Sequence, residues 1–124
     1  MQTVMFGNPD LARRVEMLNL EQINALPFGV IKLDASGIVA VFNTTEAIES
    51  GFGNRLALGL DFFTNVAPCM NSDDFKGRVE DAKRRGAVDI EIGWVGDFDD
   101  RNGAIQVRIQ SASDGGIWIF NNRS

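Results

Sequence analysis

In the last third of the chain, apolar side chains fall on every second residue. "VDIEIGW" places Val88, Ile90, Ile92 and Trp94 in phase, "AIQVRIQ" does the same with Ile105, Val107 and Ile109, and "IWIF" closes the series at 117–120. A period of two is that of a strand with one face on a core. "DFDDRNG" and "DGG" between the runs are turn sequences, so the three strands pair antiparallel. Nearer the start, "FGVIKLD" and "IVAVFN" flank "ASG", where Gly37 supplies the backbone freedom of a tight turn and makes a hairpin. Five strands are therefore expected, two early and three late.

The sequence around these strands is helical. "NPDLARRVEML" offers Asn8 as a cap and Pro9 as the first helical residue, and Leu11, Val15 and Leu18 lie on one face, predicting a helix over 10–18. "LEQINAL" adds a turn before Pro27. Residues 44–67 carry three glycines and short apolar pieces, which predicts short helices and loops. "SDDFKGRVEDAKRRG" has Ser72 as a cap, Asp73 and Asp74 at the positive end of the dipole, and Lys83, Arg84 and Arg85 at the negative end before Gly86. Phe75, Val79 and Ala82 share a face. The expected architecture is α+β, a five-stranded antiparallel sheet with helices on one face.

Charge and composition remove several function classes. The net charge is -5, and the one basic cluster has the helix-end explanation just given, so nucleic-acid binding is not expected. No histidine occurs, which excludes histidine triads and histidine-ligated haem or zinc. No apolar run is long enough to span a membrane, and "MQTVMFGNPD" lacks the pattern of a secretory signal, so a cytoplasmic protein is expected. The single cysteine, Cys69, forms no internal disulfide. Taken alone, Cys69 reads as a small buried side chain, Glu46 as an exposed helix residue, Asn43 and Thr44 as caps, and Ser50 as a turn residue beside Gly51.

The order of elements is that of the PAS domain, and the segments around the cysteine are more specific. "GLDFFTNVAPC", "LPFGVIKLDASG", "FNTTE" at 42–46, "SDDFKGR" at 72–78 and "IWIF" occur in the order and spacing of the photoactive yellow protein family, which the chain resembles over nearly its whole length. The resemblance implies a PAS fold with an N-terminal helical cap at 1–25 and a core at 26–124. It implies para-coumaric acid as cofactor, a 4-hydroxycinnamoyl thioester on Cys69 next to Pro68. It also implies Glu46 as the buried acid that donates a hydrogen bond and a proton to the phenolic end, with Ser50 where the family usually has threonine and Phe62 as a pocket aromatic.

Other positions depart from the family pattern. Phe42 stands where the tyrosine is expected, and the chain has no tyrosine at all. Phe52 replaces a pocket-covering arginine, Gly96 an aromatic residue and Asp100 a methionine. A hydrogen bond to a charged group contributes about 1.5–3 kcal/mol, so losing the hydroxyl at Phe42 raises a bound phenol's pKa by about one to two units. Loss of a positive charge at Phe52 acts in the same direction.

The resemblance thus implies a blue or near-ultraviolet photoreceptor with an altered chromophore pocket, signalling to a separate downstream protein. The alternative is a PAS-fold ligand-binding or protein-interaction module that has lost photochemistry. An enzyme using Cys69 as nucleophile lacks a histidine base and ranks below both; no enzymatic activity is expected. "APCMN" does not resemble the "NCRFL"-type segment of flavin-binding PAS photoreceptors.

Overall fold

A computed structural model describes residues 4–50, 57–68, 71–96 and 104–123. The five expected strands are β1 (Gly29–Leu33), β2 (Val39–Phe42), β3 (Asp89–Gly96), β4 (Ala104–Ser111) and β5 (Ile117–Arg123). They form one antiparallel sheet in the order β2-β1-β5-β4-β3. The C-terminal strand β5 sits at the centre, bonded to β1 and β4. Its alternation therefore serves both faces: Ile117 and Ile119 enter one core, Trp118 and Phe120 the other.

The first core joins Ile31, Leu33, Val39, Val107 and Ile109 to Phe62, Phe63 and Val79 from the connecting segment. That segment holds α3 (Thr44–Glu49), a wide π-type turn at Phe62–Val66, a second at Asp73–Gly77, and α4 (Arg78–Arg84). Phe75 and Ala82 pack beside Val79, as the helical spacing predicts. Gly86, at φ +112°, ends α4, and Arg84 and Arg85 pair with Asp81 one turn back.

The second core lies under the N-terminal segment. There α1 (Leu11–Glu16) and α2 (Leu20–Asn24) bring Leu11, Val15 and Ile23 against Phe28, Trp118 and Phe120. Trp118 and Phe120 stack at 6.1 Å, and Phe28 meets Phe120 edge-on at 6.2 Å. Polar contacts register this layer on the sheet. Gln110 accepts from the Ala12 backbone N–H at 2.8 Å and donates to the Pro9 carbonyl at 3.0 Å. Arg108 donates to the carbonyls of Phe6 and Asn8.

Three local expectations are corrected. Asn8 does not cap α1: its side chain accepts from the Met5 N–H at 2.8 Å, closing a preceding turn. The helix starts at Leu11 behind Asp10, whose carboxylate binds Arg14 and makes no capping hydrogen bond. Ser72 makes no side-chain cap; its carbonyl accepts from the Gly77 N–H at 3.0 Å across the wide turn. β3 does not pair with β4 in one continuous register: the pairing shifts between Ile92 and Val95.

Glu16 links α1 to the far end of the sheet. Its Oε2 accepts from Trp118 Nε1 at 3.0 Å and from the Ser113 N–H at 2.9 Å, and its Oε1 accepts from Arg13 at 2.9 Å. Burial pushes the Glu16 carboxyl up, and these hydrogen bonds outweigh it, so the group titrates below its ordinary 4.5. A depressed folded value gives stability that is complete above the unfolded value and is lost as pH falls through the folded one. Acidification below about pH 4.5 is therefore expected to loosen α1 from the sheet. Tryptophan fluorescence followed against pH should show this step in the parent and a shallower one in Glu16→Gln; identical profiles would refute it.

Candidate functional site

The site is organised by Asn43, which is fully buried between β2 and α3. Its Oδ1 accepts from the N–H of Glu46, capping α3, and from the N–H of Val30 in β1, both at 2.9 Å. Its Nδ2 donates to the carbonyls of Ile23 at 2.9 Å and Phe28 at 3.2 Å. One amide therefore fixes α3 against β1 and against the end of α2. The capping role suggested by the sequence is correct and is part of a wider junction.

Capped in this way, α3 turns Glu46 inward, and the residue is 0 % exposed. Its carboxylate rests on the sheet above Gly29, where a Cβ would lie 2.0 Å from Glu46 Oε1. A glycine at this point of β1 is what admits the carboxylate. Arg123 grips the group with two prongs, Nη1 to Oε1 at 2.8 Å and Nη2 to Oε2 at 3.1 Å. Asn121 Nδ2 donates to Oε1 at 3.1 Å. The Arg123 side chain is itself only 7 % exposed. A guanidinium stays protonated inside a protein, so Glu46 faces a buried cation. Among the described residues, the buried Asn121 Oδ1 has no hydrogen-bond partner.

Asn121 and Arg123 come from the extension of β5 beyond "IWIF". They share the face of Ile117 and Ile119, two and four positions further on. Sequence reading missed both because the strand was ended at Phe120; the signal available was the continued parity 117, 119, 121, 123.

The remaining candidates are distributed as follows. Phe42 ends β2 opposite Ile31 and packs, half-buried, on the first core. Ser50 is buried at the C-terminal end of α3, its N–H bonded to the Glu46 carbonyl at 2.9 Å. Phe62 is fully buried and meets Phe63 edge-on at 5.1 Å. Pro68 is exposed. Cys69, Phe52 and Asp100 lie outside the described residues, and Gly96 ends β3, paired with Ala104. The structure thus brings Glu46 together with Asn121 and Arg123, and places Phe42 and Phe62 in the core on the same side of the sheet.

No family model matches the chain. Among curated proteins it is 32% identical over 124 residues to photoactive yellow protein of Halochromatium salexigens, covering 99% of both chains. It is 28% identical to the protein of that name from Rhodothalassium salexigens, again over 99% of each. Against that of Rhodobacter capsulatus the identity is 26% over the full length of both. Among solved structures, the photoactive yellow protein domain of the sensor histidine kinase Ppr from Rhodospirillum centenum superposes with a TM-score of 0.76 at 33% identity, covering 88% of this chain and 96% of that one. The PAS domain of an HTR-like protein from Haloarcula marismortui shares the fold, with a TM-score of 0.58 at 14% identity, over 90% of this chain and 99% of that one. With that identity across its whole length and the sheet order described above, the chain belongs to the photoactive yellow protein family and has the PAS fold.

Proposed function

We propose that this domain is a cytoplasmic light sensor, without enzymatic turnover, that carries a 4-hydroxycinnamoyl group as a thioester on Cys69 and signals to a separate protein. The observation that carries the reading is the fully buried Glu46 carboxylate on the sheet face lined by Phe42 and Phe62. A fully buried acid is costly to maintain in an ordinary core and supports a site built to act on a ligand. The names of the full-length relatives support the same class. The occurrence of such a domain within a sensor histidine kinase supports a signalling partner.

The residues present fit the group. Phe42 and Phe62 supply apolar ring contacts, and Glu46 together with Asn121, whose Oδ1 has no hydrogen-bond partner among the described residues, supplies polar groups for a ligand hydroxyl. When bound, the thioester supplies light absorption and a double bond that isomerises. The chain's own residues do the rest: Cys69 anchors, Asn43 fixes the helix that carries Glu46, and Glu46 with Asn121 orients the distal hydroxyl.

Attachment is tested by incubating the purified protein with activated para-coumarate. The expected result is a mass increase of one hydroxycinnamoyl group on the Cys69 peptide, a new near-ultraviolet or visible band, and neither change in Cys69→Ser. An unchanged mass would overturn the light-sensor reading in favour of a PAS module that binds another ligand or a protein.

A further inference from the structure

We propose that the outer edge of β3 is a docking site for an extended segment of a partner protein, added antiparallel as a further strand, with basic side chains on one of its faces and acidic side chains on the other. This names the kind of segment that the signalling partner proposed above would present, and to that extent it rests on that reading; the surface itself requires no chromophore.

The two edges of the sheet differ. Along β2 the outer edge is covered: the Val39 N–H donates to the Leu60 carbonyl and the Val39 carbonyl accepts from the Gly59 N–H, both at 2.9 Å, and Ile38 bridges to Asp61. At the other side the sheet ends with β3, and among the described residues no strand covers it. The Ser111 N–H donates to the Val88 carbonyl at 3.0 Å, so the backbone of Val88 points toward β4. Antiparallel alternation turns Ile90 and Ile92 the same way. Asp89 and Glu91 therefore direct their N–H and C=O groups off the sheet, where among the described residues nothing bonds them. A run of unpaired donors and acceptors of this kind accepts an added strand.

Charge decides which strand. The exposed side chains of Asp89 and Glu91 lie on the face under the N-terminal segment, beside a hollow of about 420 Å³ that Phe6 and Gly7 also line. Their partners from β4 are neutral amides: Gln110 Nε2 donates to Asp89 at 3.2 Å and Gln106 Nε2 to Glu91 at 3.3 Å. Arg108 stands opposite Glu91 in the register, but its Nη1 donates to the carbonyls of Phe6 and Asn8. This face is net acidic. On the other face α4 runs beside the strand, and a hollow of about 340 Å³ separates Arg78, Asp81 and Arg85 from Ile90. Asp81 pairs with Arg84 at 3.4 Å and with Arg85 at 2.7 Å, and among the described residues no carboxylate pairs with Arg78. That face is net basic.

A second copy of this chain does not fit the edge. Antiparallel pairing of β3 with itself about a two-fold axis brings like faces together. Asp89 and Glu91 would then oppose the same carboxylates of the copy, and Arg78 and Arg85 would face their counterparts. Like charges directly opposite one another destabilise a strand pair. The same charges favour a strand of the opposite pattern, with lysine or arginine in phase with Asp89 and Glu91, and glutamate or aspartate between them, toward Arg78 and Arg85.

The test uses the purified protein without added chromophore and a synthetic peptide in which lysine and glutamate alternate. A block isomer of the same composition is the control. By NMR of isotope-labelled protein, the alternating peptide is expected to slow exchange of the Asp89 and Glu91 amides and to leave those of Ile90 and Ile92, already turned toward β4, unchanged. It should bind at least about tenfold tighter than the block isomer, since each matched cross-strand charge pair contributes up to a few-fold. N-methylation of the peptide at its lysines, whose N–H groups would bond the edge, should abolish binding; N-methylation at its glutamates should not. Absence of binding, equal affinity for the two isomers, indifference to N-methylation at the lysines, or unslowed Asp89 and Glu91 amides would each overturn the proposal. So would a dimer of the protein alone in which those two amides are protected. Failure of Cys69 acylation bears on the light-sensor reading alone, and failure of peptide binding on the docking edge alone.

Discussion

Arg123→Met is expected to destabilise the domain by about 3–5 kcal/mol at neutral pH, the cost typical of stranding one member of a buried ion pair. Glu46 is fully enclosed and Arg123 nearly so, so water cannot replace the lost guanidinium without opening the sheet end where β5 meets β1. With the guanidinium gone, the carboxyl can respond by taking up a proton. The deficit should therefore narrow as the pH is lowered from 7 toward the ordinary glutamate range. Combining Arg123→Met with Glu46→Leu should recover most of the loss, since an apolar pair of similar volume often equals or exceeds a buried ion pair in stability. Urea unfolding of the four proteins, compared at constant slope, reads the coupling directly. A single variant within about 0.5 kcal/mol of the parent would show that the pair is not the closed contact described here.

That pair also shows where local sequence stops being informative. Strand alternation is a local signal, and Ile90, Val107, Ile109, Ile117 and Ile119 fall on the core face that their parity predicts. The face of α4 was equally legible through Phe75, Val79 and Ala82. Cap identity was less so, because side chains near a helix start have competing partners: Asn8 closes a turn, Asp10 binds Arg14, and Ser72 stands before a turn wider than an α-helical one. The burial of Glu46 has no local signature at all. It depends on a cation 77 residues away and on a glycine in β1 that leaves room for the carboxylate. Family resemblance located the acid, but not the basic side chain that contacts it. Arg123 was visible only as the fourth term of a parity series whose last two members are polar, and polarity is what ended the strand prematurely.

Asn43→Ala should be nearly as damaging as loss of Arg123, at about 3 kcal/mol or more, for a different reason. Removal of a helix cap alone costs about 1 kcal/mol. Here the same side chain also satisfies the Val30 N–H and the carbonyls of Ile23 and Phe28, all at a buried junction. A buried backbone group left without a partner costs about 1–3 kcal/mol, and alanine restores none of these contacts. Asn43→Asp separates the two contributions. It keeps both acceptor bonds, to Glu46 N–H and Val30 N–H, and loses both donor bonds to the carbonyls. It also buries a second carboxylate near Glu46, so it should recover little stability at neutral pH and more as the aspartate protonates on acidification. Because Asn43 sets the first turn of α3, both variants should expose Glu46 by loosening its helix. Hydrogen exchange at the α3 amides would then accelerate in step with the fall in global stability. Rapid α3 exchange without global destabilisation would show instead that the helix opens independently of the sheet.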